Sequence, residues 1–198
     1  IIGHGIRNSV GFDWQPSTGD LWVSNNCRDM MGDDIPSDEI NVIPAGAKNA
    51  PHYGYPFVHS AADGSRISDP KFGDHSASQG LIFVDPAIRV QAHAAVLGMS
   101  FYRGDSFPAR FQNALFVAEH GSWNRSKKVG YQVSVATFDR NGEPDYQPFI
   151  TGWLQGERAW GRPNDVLISP DGALLISDDK AGVVYRVTAI PTAQTPAS

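Results

Sequence analysis

Short apolar runs broken by Gly- and Pro-bearing turns recur along this chain, and they set the reading of its fold. Val10, Phe12 and Trp14 alternate with Gly11 and Asp13, the period of a strand with one buried face. Pro16-Ser17-Thr18-Gly19 supplies a turn and Leu21-Trp22-Val23 the returning strand, so a hairpin is predicted. The same order of features recurs at Asp165–Ser169, Pro170-Asp171-Gly172 and Leu174–Asp178. A looser copy runs from Leu97 to Tyr102, turns through Pro108 and returns at Leu115–Glu119. Further strands are expected at Tyr131–Phe138 and Gly182–Val187. Hairpins repeated in this way cannot each bury their own face, and they point to a propeller or a similar array. Blades of ~40 to 50 residues give about three in 198 residues. A closed propeller needs at least four. The array therefore reads as partial.

Two segments depart from the pattern. Residues 48–91 open with His52-Tyr53-Gly54-Tyr55-Pro56 and continue through a polar stretch from Ser60 to Gly80, which reads as a long insertion over one face. Residues 191–198 are Pro, Thr, Ala, Gln and Ser, the composition of a disordered tail. The expected organisation is one partial propeller over residues 1–190 carrying the 48–91 insertion, followed by that tail.

Composition sharpens the picture in three ways. Twenty Gly and 14 Pro favour a turn-rich all-β protein. A net charge of -5 argues against nucleic acid as a partner and toward small molecules. Cys27 is the only cysteine, so no internal disulfide forms, and no apolar run approaches the ~20 residues of a membrane helix. The chain opens Ile1-Ile2-Gly3-His4 with neither an initiator Met nor a signal peptide, as a mature, trimmed or partial chain would.

Chemistry concentrates in Ala114–Ser126. An apolar strand breaks at Gly121 into a loop bearing His120, Trp123, Asn124 and Arg125. An imidazole, a flat aromatic and a permanent cation suit a planar anionic ligand, by stacking and bidentate pairing; the same loop could instead cap a sheet. Two other loops hold equivalent positions around their hairpins. One carries Arg7 and Asn8 before the first hairpin, with Asn26, Cys27 and Arg28 after it; the other carries Arg162 and Asn164, with Asp178-Asp179 after. His93 precedes the middle hairpin. In a propeller such loops share one mouth, so Arg, His and Asn would converge there. Asp178-Asp179 reads either as a turn or as part of a metal site. Asp38-Glu39, with the acidic loop Asp29, Asp33 and Asp34, reads either as calcium ligands or as a strand end in water. No serine-hydrolase elbow, P-loop, His-Glu-Xaa-Xaa-His or Rossmann glycine fingerprint is present.

Several of these motifs resemble, in order, those of the quinoprotein glucose/sorbosone dehydrogenase family. They are Gly5-Ile6-Arg7-Asn8 with Gly11, Asp38-Glu39-Ile40-Asn41 and Tyr53-Gly54-Tyr55-Pro56. His93–Tyr102, Phe116–Arg125 and Gly161-Arg162-Pro163 leading to Pro170-Asp171-Gly172 are most similar to the L-sorbosone dehydrogenase branch. The resemblance runs from Ile1 to about Val187 and implies a six-bladed β-propeller of the quinoprotein type, about three blades of it in this chain. It implies pyrroloquinoline quinone (PQQ) and calcium as cofactors, a periplasmic or secreted location and oxidation of an aldose or sugar-derived aldehyde by hydride transfer, with an external electron acceptor.

Carried over residue by residue, Arg7, Asn8, Asn26, His93, Trp123, Arg162 and Asn164 would face the cofactor, with His120 and Arg125 replacing a lysine of some relatives. Backbone carbonyls of Cys27 and Arg28 would hold calcium, where many relatives carry Gly-Pro. Asn164 stands where many relatives carry a second arginine. The family's general-base histidine lies in blades before the Arg-Asn motif, which leaves His93 and His120 as catalytic candidates here and predicts little turnover from this chain alone. Missing blades would come from another chain or from closure of a homo-oligomer, or would have been removed. The residues themselves leave open a non-catalytic propeller binding module and a calcium-dependent lactonase, the latter on Asp33-Asp34 and Asp178-Asp179.

Overall fold

The computed structural model describes residues 1–190, all of it β-sheet and loop apart from two short 3-10 turns. The expected tail lies outside the described residues. The chain begins with β1 (Phe12–Trp14), β2 (Leu21–Asn25) and β3 (Asp38–Ile43), passes through a small hairpin of β4 (Val58–Ser60) and β5 (Arg66–Ser68), and returns as β6 (Ile88–Val90). Next come β7 (Val96–Phe101), β8 (Leu115–Glu119), β9 (Gln132–Phe138) and β10 (Pro144–Ile150). A two-residue pair, β11 (Leu154–Gln155) and β12 (Arg158–Ala159), leads to β13 (Pro163–Ile168), β14 (Leu174–Asp178) and β15 (Val183–Val187).

Three antiparallel meanders result, ordered β1-β2-β3-β6, β7-β8-β9-β10 and β13-β14-β15. Their first strands lie side by side, β1 against β7 and β7 against β13. That arrangement is propeller-like. The two main cores fill the gaps between successive sheets. Trp22, Ile40, Val96, Phe101, Leu115 and Val117 pack between the first and second sheets. Phe107, Phe116, Val133, Trp153, Leu174 and Ile176 pack between the second and third. The continuous apolar run of β8 follows from this, because Leu115 and Val117 serve one core while Phe116 and Ala118 serve the other.

Spacing between the first strands is set by glycine. A Cβ on Gly11 would lie 2.9 Å from Gly98 Cα, and one on Gly98 would lie 2.6 Å from Asp165 Cα. Backbone thus meets backbone across both sheet boundaries. This corrects the predicted face of β1. Gly11 and Asp13 point inward, while Phe12 and Trp14 are 58% and 54% exposed. Only glycine fits against β7, and with a two-residue period that choice turns the apolar residues outward.

Other differences follow from position in the sheet. The 48–91 segment is not insertion throughout, since β6 near its end pairs with β3 as the outermost strand of the first sheet. β10 carries Pro144 and Pro148, which masks it in sequence; it is an outermost strand, where a missing donor is tolerated. Asp38 and Glu39 do not end a strand in water but sit 2% exposed within β3.

Two outcomes test this packing. Gly98→Ala should lower unfolding stability by about 1–3 kcal/mol, the usual cost of overpacking; an unchanged urea midpoint would contradict the close approach. Asp13 accepts from the Phe101 N–H at 2.8 Å and from Arg103 at 2.8 and 2.9 Å. Burial pushes its pKa up, but Arg103 and the N–H groups outweigh burial and hold it below the ordinary carboxylate value. Such a group stabilises fully above its unfolded pKa and loses that contribution as pH falls through the folded one. Acid titration of the melting temperature should therefore show a loss below about pH 4 that is shallower in Asp13→Asn. Parallel profiles for the two proteins would count against the pairing.

Candidate functional site

Each first strand is paired antiparallel with the second strand of its sheet, so the loop before one and the loop after the other leave at the same edge. Backbone bonds fasten these loops to each other: Asn26 N–H to the Asn8 carbonyl at 2.9 Å, and His120 N–H to the Ala95 carbonyl at 2.9 Å. Side chains cross the sheet boundaries at the same edge. Asn26 Nδ2 donates to the Val96 carbonyl at 2.8 Å, and Arg162 Nη2 donates to the Gly121 carbonyl at 2.7 Å. All three loop pairs therefore share one rim.

A cavity of about 200 Å³ opens there, lined by Arg7, Asn8, Asn26, Cys27, Asp29, Asp38, His93, Trp123 and Asn124 among others. Buried polar struts shape it. Glu39, deep in β3, accepts from Asn25 Nδ2 at 2.9 Å, from Asn41 Nδ2 at 3.2 Å and from Ser60 Oγ at 2.5 Å. Asn25 Oδ1 in turn accepts the backbone N–H groups of Arg7 and Asn8 at 3.0 and 3.2 Å, which fixes the Arg-Asn segment on the rim. Asp38 accepts from Cys27 N–H at 2.9 Å and from Ala95 N–H at 2.7 Å, tying the loops of two sheets together. Burial raises its pKa to about 6, against the pull of those N–H groups and of His93. Burial, followed by the charges of Glu39 and Asp38, pushes the Cys27 thiol well up, so it is a neutral wall and not a nucleophile.

His93 is buried and sits at φ +63°, a left-handed backbone uncommon for a non-glycine residue and frequent where a site imposes its geometry. Its Nε2 lies 2.7 Å from the Gly32 carbonyl. Only a protonated Nε2 can donate to a carbonyl, so in the neutral ring Nδ1 is the unprotonated nitrogen, an assignment made from the bonding pattern. Trp123 is 69% exposed, a flat face presented at the cavity edge.

The structure brings together Arg7, Asn8, Asn26, His93 and Trp123. It does not add Arg125, Arg162, His120 or Asn164 to this cavity, and the expected single convergence is corrected to two neighbouring clusters. Arg125 pairs with Asp34 at 2.7 Å and also donates to the Asp33 and Ala92 carbonyls, bracing the acidic loop against the His93 segment. Arg162 donates to the carbonyls of His120 and Gly121 at 3.0 and 2.7 Å, with Tyr131 beneath it. His120 pairs with Asp179 at 2.8 Å, and Asn164 reaches the same carboxylate at 3.4 Å. The two arginines are thus taken up largely by loop carbonyls, and His120 and Asn164 by the Asp179 carboxylate. The Arg28 guanidinium turns away to Asp69 at 2.7 and 2.5 Å, where His59 also binds at 2.8 Å. The Cys27 carbonyl accepts from Arg7 Nη1 at 2.8 Å.

The acidic pairs are likewise occupied. Asp178 is 2% exposed and accepts the N–H groups of Arg162, Lys180 and Ala181, plus the Tyr185 hydroxyl. Among the described residues no group of three or more His, Cys, Asp and Glu side chains is placed to hold a metal. The carboxylates of the two acidic pairs are instead engaged by Arg125, Ser126, His120 and the backbone N–H groups around Asp178. Asn25, which the sequence places in the loop cluster leaving the first hairpin, serves as the strut beneath the rim, and Asn124 of the His120–Arg125 loop is a wall of the cavity. Sequence reasoning read Asp38 only as a metal ligand or a strand end.

A profile of the TrAA12-like family matches residues 1–190. An uncharacterized protein of Borreliella burgdorferi is 38% identical over 191 residues, covering 94% of this chain and 48% of that one. A pyrroloquinoline quinone-dependent sugar dehydrogenase of Hypocrea jecorina is 27% identical over 195 residues, covering 86% and 40%. A calcium structure of a Trichoderma reesei carbohydrate-active enzyme of family AA12 superposes with a TM-score of 0.71 at 24% identity, over 92% of this chain and 52% of that one. The chain thus spans about half the length, or less, of these relatives.

Asn25 offers a direct test of the strut. Asn25→Ala leaves the buried Glu39 carboxylate and two backbone N–H groups short of partners, which should cost about 1–3 kcal/mol or more. Chemical denaturation measures it, and a loss under a few tenths would show that the network does not support the rim.

Proposed function

The chain belongs to the TrAA12-like family, and from that premise we propose that it forms part of the cofactor site of a PQQ- and calcium-dependent sugar dehydrogenase. In this reading its three sheets are consecutive blades of a six-bladed propeller. The observation that carries the proposal is the meeting of Arg7, Asn8, Asn26, His93 and Trp123 around one cavity, at a rim built from the loops of adjacent sheets.

The residues fit the group. Arg7, Asn8 and Asn26 offer N–H donors to carboxylate and quinone oxygens, and the exposed indole of Trp123 suits a flat ring. Carbonyl oxygens at Asn26 and Cys27, with the Asp29 carboxylate, are the hard donors that calcium takes. When bound, PQQ supplies the two-electron acceptor and calcium a Lewis acid.

The protein residues bind, orient and hold charge. Arg7 and Asn8, whose backbone Asn25 fixes, would supply side-chain donors to the oxygens of the bound group. His93 keeps a set orientation through Gly32, which leaves Nδ1 as the atom able to accept a hydrogen bond or a proton. Its role here is to hold the cofactor, while the base that takes the sugar hydroxyl proton comes from outside this chain. The substrate is an aldose or sugar-derived aldehyde, and an external acceptor reoxidises the quinone.

PQQ titration followed by tryptophan quenching tests the reading. Saturable binding is expected, weakened about tenfold in His93→Ala, a change of about 1.4 kcal/mol. Dye reduction with glucose or sorbosone plus calcium should be slow or absent for this chain alone. A chain with no saturable PQQ binding overturns the proposal, and rapid turnover overturns the assignment of the base.

A further inference from the structure

Three oxygens of one loop converge on a single cation. Arg7 Nη1 donates to the Asn26 carbonyl at 3.2 Å and to the Cys27 carbonyl at 2.8 Å, and Arg7 Nη2 pairs with the Asp29 carboxylate at 3.0 Å. Two carbonyls and a carboxylate make a hard-oxygen donor set suited to a divalent ion, whose remaining positions water or a bound ligand can fill. The set is reachable, because the side chains of Arg7 and Asp29 keep 29% and 33% of their exposure. An arginine–carboxylate pair this open to solvent contributes little on its own, so another cation can displace it. The carboxylate of Asp38 is committed to the Cys27 and Ala95 N–H groups, which hold the loop that carries these oxygens.

We propose that the Arg7 guanidinium is a built-in competitor for a divalent-cation site formed by the Asn26 carbonyl, the Cys27 carbonyl and the Asp29 carboxylate. Calcium and Arg7 cannot hold these oxygens together. Calcium binding therefore frees the guanidinium, and Arg7 already lines the cavity beside them. The consequence is a coupling: the ion releases a donor to the cavity, and an anionic ligand that engages the released arginine tightens the ion by the same factor. This deepens the calcium part of the quinoprotein reading, and its test requires no quinone.

Terbium luminescence sensitised by the neighbouring Trp123, with calcium as the competing ion, reads the site directly in the parent chain. Arg7→Met removes the competing charge and should bind calcium at least about tenfold more tightly than the parent. Arg7→Lys keeps a charge on a shorter, single-point head and should fall between them, which carries the test if Arg7→Met does not fold. The double variant Arg7→Met/Asp29→Asn should lose the gain. Calcium affinity in Arg7→Met equal to or below that of the parent overturns the inference, as does a gain that survives in the double variant. If Arg7→Met does not fold, Arg7→Lys binding no tighter than the parent overturns it. Failure of PQQ to bind, with this pattern of calcium affinities intact, would strike only the quinone reading.

Discussion

Everything at the rim depends on how closely the first strands of neighbouring sheets approach. Gly11 against Gly98, and Gly98 against Asp165, bring backbone to backbone, and no side chain could be inserted at either place without moving a strand. With the strands so near, the loops before and after them have no room to diverge. Asn26 can then reach across to the Val96 carbonyl, and Asp38 can span from Cys27 to Ala95. The cavity is what remains between loops held at that distance.

Holding the loops requires polar bonds, because loop backbone cannot satisfy itself as strands do. The chain meets this need with buried carboxylates. Asp38, Glu39 and Asp178 are each 2% exposed and each accepts two or more donors. Arginines do the reverse work, capping carbonyls at Gly121, Ala92 and Asp33. Some acidic groups of this net-negative protein thus point inward as acceptors, while Asp29, Asp34 and Asp179 stay at the rim, paired with Arg7, Arg125 and His120. The cation that remains beside the cavity is Arg7, held by a carboxylate and two carbonyls that would also suit a metal ion.

This division of labour fits a site that handles a flat, anionic group. Rigid struts set the backbone of Arg7 and Asn8 and the ring of His93, and Trp123 is left uncommitted on the outside. Groups held in this way lose little freedom when a ligand arrives, while the Arg7 guanidinium has first to leave its loop oxygens.

Much of this was legible in the letters. Turn chemistry and apolar period located the hairpins of all three sheets, because those signals are local to each pair of strands. The motif order identified the family, and the rim positions of Arg7, Asn8, Asn26, His93 and Trp123 followed from counting loops around hairpins. Sequence misread the outward face of Phe12 and Trp14, the strand hidden behind Pro144 and Pro148, and the destinations of Arg125 and Arg162. Those were decided by tertiary structure, for one reason. A side chain's partner is whichever unsatisfied group the fold brings within reach, and the carbonyls of Gly121 or Asp33 become unsatisfied only after the sheets have packed.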